Sequence, residues 1–225
     1  MHVGILGGTG PAGSGLALRL AAAGLEIVIG SRSKERADEA CEKLLKKHPE
    51  QSLHLEGGDN LRAASSDVVV VATPWDAAAA TVASVAHRLT GKVVISMANA
   101  LAKVGDEFEP LVPPRGSVAA HVQAAAPGAL VAAAFHHLPA KALLSLGKPI
   151  DADVLVCSDH KAAYIATAEL VDLIPDLRPL DAGSLSNAAP IEAITAVLLQ
   201  LNVRYKTHAA VRLTGIGQGI TQQPS

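Results

Sequence analysis

The chain has 225 residues, of which 49% are hydrophobic and 18% charged, and its 19 Lys and Arg nearly balance 21 Asp and Glu. That composition excludes a disordered protein, and the lack of a basic block, with only two Phe, two Tyr and one Trp for stacking, argues against nucleic acid as a partner. Cys41 and Cys157 stand in no C-x-x-C arrangement, so neither a disulfide framework nor a zinc site is expected; with no charge-free apolar run of transmembrane length and no signal peptide before the first strand, no membrane association and a cytoplasmic location are expected.

The first elements form one unit. From His2, Val3-Gly4-Ile5-Leu6 is the short apolar run of a buried parallel strand, and Ser14 to Ala23 reads as a helix with Leu16 and Leu20 on one face. Between them lies Gly7-Gly8-Thr9-Gly10-Pro11-Ala12-Gly13, in which Gly8, Gly10 and Gly13 fit the G-x-G-x-x-G spacing. One glycine serves the tight turn, one lets backbone approach a pyrophosphate, and one allows close helix-on-strand packing. The free N–H groups at the helix start then face an anion. Gly24 stops the helix, and Glu26-Ile27-Val28-Ile29 closes a β-α-β unit of about thirty residues.

What ends the second strand selects the cofactor. An NAD site places Asp or Glu there to accept from the ribose 2′-hydroxyl. This chain instead has Gly30-Ser31-Arg32-Ser33-Lys34, with Arg36 a turn further on. A hydroxyl and two guanidinium groups attract a 2′-phosphate that a carboxylate would repel, so NADP(H) is the expected ligand.

Lys34 to Lys47 follows as a helix, Gln51 to Leu55 as a modest strand, and Gly57-Gly58-Asp59-Asn60 as a turn into a short helix. Asp67-Val68-Val69-Val70-Val71-Ala72 is the strongest strand, and Thr73-Pro74-Trp75 at its carboxyl end is expected at the cofactor's edge. Asp76 to Leu89 reads as a helix and Lys92 to Ser96 as a strand. The broken stretch from Met97 to Pro114, holding Asn99, is too long to be a mere connector. Ser117 to Ala126 is a short helix and Leu130 to Ala134 a strand, followed by Phe135-His136-His137-Leu138-Pro139-Ala140. With no carboxylate or cysteine at ligand spacing the two histidines predict no metal site, and a polar wall beside a redox centre is their expected use.

Beyond Asp153 the pattern continues as a strand (Val154 to Cys157), a helix (His160 to Ile174) capped by Asp159, and a short strand (Arg178 to Leu180). The loop from Asp181 to Asn187 leads into a long helix, Ala189 to Tyr205, and a last strand from Ala210 to Thr214. The expected fold is α/β: a Rossmann-type, doubly wound, mainly parallel sheet with a small C-terminal α+β domain. A boundary near Pro149 to Ala152 gives an NADP-binding domain at 1–150, a small domain at 151–216 and a flexible tail at 217–225.

Gly7-Gly8-Thr9-Gly10 with Gly13, the Gly30-Ser31-Arg32 strand end, Pro74-Trp75, the His136 to Ala140 loop and the Leu180-Asp181-Ala182-Gly183-Ser184-Leu185-Ser186-Asn187 loop together resemble the NADPH:coenzyme F420 reductases. The resemblance implies a homodimer that moves a hydride between the nicotinamide C4 of NADPH and C5 of the 8-hydroxy-5-deazaflavin of coenzyme F420. It implies that Thr9, Gly10, Pro11, Ala12, Ser31, Arg32 and Arg36 hold the adenosine phosphates and pyrophosphate, and that Ala77, Asn99 and Ala140 approach the nicotinamide half. Pro11 removes one backbone donor from that set. His136 is the candidate polar support for charge that builds on the deazaflavin, with no obligate acid or base, and His137 and Pro139 complete that wall. The alternatives are a soluble NADPH-dependent flavin or ferric reductase-like protein and a non-catalytic NADP sensor.

Overall fold

A computed structural model describes residues 1–216; the expected tail at 217–225 lies outside the described residues. Two apolar runs, β1 (His2–Leu6) and β4 (Val68–Val71), pair in parallel inside the sheet with Gly4 opposite Val69. Alternate residues of β4 face opposite ways: Val68 and Val70 join one apolar cluster, Val69 and Val71 the other. Covered on both faces, such a strand has no polar side to show, which is why its sequence does not alternate.

Eight strands form one sheet, in the order β10 (Leu177–Asp181), β9 (Ala152–Ser158), β8 (Leu130–Ala133), β5 (Val93–Ser96), β4, β1, β2 (Glu26–Ser31) and β3 (His54–Asp59). From β1 the chain steps outward through β2 (Glu26–Ser31) and β3 (His54–Asp59), then returns to β4 and steps the other way through β5 (Val93–Ser96) and β8 (Leu130–Ala133). The order therefore reverses between β1 and β4, and the crevice outside their carboxyl ends is where a ligand fits such a sheet. Helices α1 (Pro11–Ala22) and α2 (Lys34–Lys47) cover one face; α3 (Asn60–Ala64), α4 (Trp75–Val85) and α5 (Val118–Ala125) cover the other.

Several expectations are corrected. β3 begins three residues later than Gln51 and runs through Gly57 and Gly58, which pair with Ile29 and Gly30 of β2. A Cβ on Gly57 would sit 2.3 Å from Asp38 Oδ1, so the close approach of α2 explains a glycine inside this strand. The stretch expected as an irregular loop contains a small antiparallel hairpin, β6 (Leu101–Val104) and β7 (Glu107–Pro110).

The strands of the 151–216 segment, β9 (Ala152–Ser158) and β10 (Leu177–Asp181), extend the main sheet. β9 is antiparallel to β8, with Ala133 opposite Cys157, while β10 is parallel to β9. Their carboxyl ends therefore lie at the amino end of β8, on the edge away from the crevice. α7 (Lys161–Asp172) has His160 at its cap position; Asp159 accepts a hydrogen bond from Leu185 N at 3.0 Å rather than capping that helix.

No strand forms at Ala210 to Thr214. That segment is irregular and is held by the buried Asp153 carboxylate, which accepts from Arg178 (2.8 and 2.9 Å), Arg212 (3.1 Å) and Leu213 N (2.6 Å). Burial opposes the charge on Asp153, but these donors outweigh it and hold the carboxyl below its ordinary range.

Candidate active site

The glycine turn is held by the protein's own contacts. Gly7 adopts φ +67°, a left-handed conformation that costs glycine little, and donates to Asn60 Oδ1 at 3.2 Å. Gly8 N bonds to Gly30 O at 2.9 Å, and Ser14 Oγ closes the turn on Gly8 O at 2.9 Å. A Cβ on Gly13 would lie 2.8 Å from Gly8 Cα, whereas one on Gly10 would meet nothing within 4 Å. Gly8 and Gly13 thus serve packing, and Gly10 faces open space in the crevice.

Pro11 is the first helical residue of α1, and the first intrahelical bond runs from Ser14 N to Gly10 O at 2.8 Å. Its missing N–H would have had no intrahelical acceptor. The N–H groups of Ala12 and Gly13 remain, aimed out of the helix start at the partial positive end of α1.

At the end of β2, Ser31 is buried while Arg32 and Arg36 are exposed and line the crevice. Ser33 caps α2 by accepting from Arg36 N at 3.3 Å. Neighbouring cations are neutralised: Lys34 by Asp38 at 2.6 Å, Lys46 by Glu42 at 2.9 Å and Arg62 by Glu56 at 2.7 Å. Arg32 and Arg36 form no ion pair among the described residues. Two unpaired guanidinium groups beside a helix start suit a dianion.

Across the crevice stand Thr73, Pro74 and Trp75, with Trp75 starting α4 and Ala77 in its first turn. The buried Thr73 hydroxyl has no partner among the described residues. Met97, Ala98 and Asn99 follow β5, and Leu101 opens the hairpin. The space they enclose with the glycine turn is about 850 Å³, within the range of ligand clefts.

Thr9, Gly10, Pro11, Ala12, Gly13, Ser31, Arg32, Arg36, Thr73, Pro74, Trp75, Ala77 and Asn99 thus share one crevice. Gly8, His136, His137, Pro139 and Ala140 do not line it. Met97, Ala98 and Leu101, from the stretch whose length marks it as more than a connector, also line it, as does Asn60, for which the sequence context gives no sign.

The two histidines occupy different settings. Phe135 turns the chain after β8 with φ +63°, which carries both rings inward. His137 Nε2 lies 2.9 Å from Asp153 O and 3.3 Å from Leu155 N, serving the edge of β9 beyond the point where β8 stops. His136 is 4% exposed, and neither ring nitrogen has a partner among the described residues. Burial, helped by the neighbouring His137 and opposed by the Ala134 backbone, lowers its pKa to about 3, so the ring is neutral near pH 7. Pro139 precedes the short α6 (Ala140–Leu143), which Arg19 of α1 clasps through the carbonyls of Ala142, Leu143, Ser145 and Lys148.

The loop from Asp181 to Asn187 lies at the sheet edge away from the crevice and is braced by its own polar groups. Asp181 accepts from Gly183 N at 2.8 Å and Asn187 donates to Ala182 O at 2.7 Å. It launches α8 (Ala188–Tyr205), which runs back toward the crevice. Glu192 on α8 receives Val118 N and Ala119 N at the start of α5, at 2.8 and 3.1 Å. Burial pushes its pKa up to about 7, with those two N–H bonds opposing the rise. One turn later Thr195 Oγ1 donates to Asn99 Oδ1 at 3.2 Å, and Asn99 Nδ2 donates to His136 O at 2.7 Å.

A glycine turn at the switch point of a doubly wound sheet, opening onto the start of α1, defines a dinucleotide-binding protein of the Rossmann class. Residues 2–100 match the family described as NADP oxidoreductase coenzyme F420-dependent. Over 226 residues the chain is 38% identical to the F420-dependent NADP reductase of Methanothermobacter thermautotrophicus, covering 96% of each. It is 37% identical over 222 residues to that of Methanocaldococcus jannaschii, covering 96% of this chain and 99% of the relative. The crystal structure of a putative F420-dependent NADP reductase from an Arthrobacter species superposes with a TM-score of 0.75 at 25% identity, over 92% of this chain and 95% of that one. The chain belongs to the family of F420-dependent NADP reductases.

Proposed function

We propose that this protein moves a hydride between NADP(H) and coenzyme F420. The observation that carries the NADP half is the unpaired Arg32 and Arg36 beside the glycine turn; kinship over nearly the whole chain with F420-dependent NADP reductases supports the other half. In this reading Ser31, Arg32 and Arg36 bind the 2′-phosphate, and the N–H groups of Ala12 and Gly13 bind the pyrophosphate across the space left by Gly10. Thr73, Pro74, Trp75, Ala77 and Asn99 wall the nicotinamide half.

The two ring substrates supply the redox chemistry: a C4 hydride of the dihydronicotinamide passes to C5 of the deazaflavin, whose N1 takes up a proton. The protein's part is to hold the rings face to face and exclude water. His136, a neutral ring buried behind the crevice wall, supports the deazaflavin end from behind Asn99, whose Nδ2 donates to its carbonyl at 2.7 Å, with Pro139 and Ala140 next to it in the chain. His137 is assigned to the fold, not to a ligand.

The 1–150 segment carries the NADP crevice in this proposal, and the 151–216 segment contributes α8. Ile194, Val197 and Leu201 form an exposed apolar stripe on α8, 40%, 57% and 36% exposed, which a second copy of the chain covers in a homodimer. No helix among the described residues is long and apolar enough to cross a membrane, and the cytoplasm is the proposed location. The test is a parallel assay of NADPH and NADH with oxidised F420 and, separately, with FMN. Bleaching of F420 by NADPH is expected; reduction of FMN alone would favour the flavin reductase alternative, and binding without turnover a sensor.

A further inference from the structure

We propose that Thr195 is a positioning residue for the reaction, acting by fixing the Asn99 carboxamide so that one of its N–H bonds points into the crevice. The inference rests on the reading of the crevice as the site of hydride transfer. Asn99 follows the carboxyl end of β5, is half-buried, and lines the crevice. Its orientation is set by chemistry: the His136 carbonyl only accepts, so the Asn99 atom 2.7 Å from it is the amide nitrogen. The other atom is therefore the oxygen; the Thr195 hydroxyl lies 3.2 Å from it and 3.5 Å from His136 O, and its one proton goes to the nearer acceptor, Asn99 Oδ1.

This leaves an inventory. The carboxamide has two N–H bonds; one serves His136 O, and the second has no acceptor among the described residues. The crevice is the open side, so that N–H addresses whatever fills it. It can recognise a carbonyl oxygen on a reacting ring: the carboxamide of the nicotinamide or a carbonyl of the deazaflavin. Without the Thr195 hydroxyl, the bond to His136 O is the one hydrogen bond among the described residues that holds the amide plane, and the free N–H loses part of its aim.

The helix that carries Thr195 is well placed to hold it still. Thr195 is 8% exposed, and Glu192, one turn earlier on α8, is bonded to two N–H groups of α5. Thr195 therefore links a helix launched from the far edge of the sheet to a side chain in the crevice.

The test compares Thr195→Val, which keeps the shape and removes the hydroxyl, with Thr195→Ser, which keeps the hydroxyl. With NADPH and oxidised F420, Thr195→Val is expected to lower kcat/KM by about tenfold, the scale of one neutral hydrogen bond, while Thr195→Ser stays within about twofold of the parent. In an Asn99→Ala background, Thr195→Val should add no further loss. If Thr195→Val proves unstable, Thr195→Ala carries the same comparison. Titrations followed by Trp75 fluorescence separate the two acceptors. Weaker binding of NADP⁺ but not of 2′,5′-ADP points to the nicotinamide carboxamide, and unchanged NADP⁺ binding with a raised KM for F420 points to the deazaflavin. Thr195→Val within twofold of the parent, Thr195→Ser as impaired as Thr195→Val, or additive losses with Asn99→Ala would overturn the proposal. A parent protein that fails to reduce F420 contradicts the reaction instead, and the NADP⁺ titrations then decide the role of Thr195 by themselves.

Discussion

Asp153 and Arg178 stand opposite each other on β9 and β10, joined by two hydrogen bonds of 2.8 and 2.9 Å, with the Asp153 side chain wholly buried. The pair does more than join two strands. Arg178 also donates to Leu213 O and Ile216 O, so one ion pair ties the irregular end of the described chain to the sheet edge.

Asp153→Asn leaves the facing guanidinium groups without their counter-charge. A loss of about 3 kcal/mol is expected, which lowers Tm by roughly 6–12 °C in a domain of this size. Because the folded carboxyl sits below its ordinary value, its contribution is full above about pH 4 and is lost as pH falls through the folded value. Melting curves from pH 7 downward check this: the gap between parent and variant should be widest at pH 7 and shrink progressively once the pH falls below about 4.

Glu192 has the opposite sign. Its folded pKa is raised to about 7, so between the ordinary carboxyl range and pH 7 the folded state binds a proton the unfolded chain has given up. Its stabilising contribution is present below that range and is lost as pH rises through about 7. Glu192→Gln should flatten the pH dependence of Tm between pH 5 and 8, and a slope equal to the parent's would refute the assignment.

The unpaired arginines predict cofactor choice. Arg32→Ala and Arg36→Ala should each raise the KM for NADPH by roughly tenfold or more, the scale of a charged hydrogen bond, and leave the KM for NADH nearly unchanged. Equal effects on both cofactors would show that the guanidinium groups do not read the 2′-phosphate.

The adjacent histidines should separate cleanly. His137→Phe removes the ring nitrogen that serves β9 and should cost about 1–3 kcal/mol of stability with little change in kcat. His136→Ala should slow hydride transfer while His136→Gln retains part of it. As the His136 ring is neutral far below pH 5, kcat between pH 5 and 8 should show no step that disappears with His136.

The glycine turn, the central strands and the switch at Ser31-Arg32 were legible because each is a local signal: an uninterrupted apolar run, a fixed glycine spacing, a cation where a carboxylate usually stands. The bounds of β3 are not legible locally, because Gly57 and Gly58 look like a turn and only pairing with β2 and the approach of α2 make them strand. The direction of β9 is not a local property. From that one reversal follow the distance of the Asp181 loop from the crevice and the return path of α8. Asn60, Glu192 and Thr195 were invisible for the same reason, since each acts across 50 or more residues through contacts that only the packed fold creates.

Transfer of label between the two rings tests the central claim most directly. With NADPH carrying deuterium at the transferred C4 position and oxidised F420 as acceptor, the account predicts loss of the deazaflavin absorbance and deuterium at C5 of the product, read by mass spectrometry. An unbleached deazaflavin, or a reduced one without label, would contradict it.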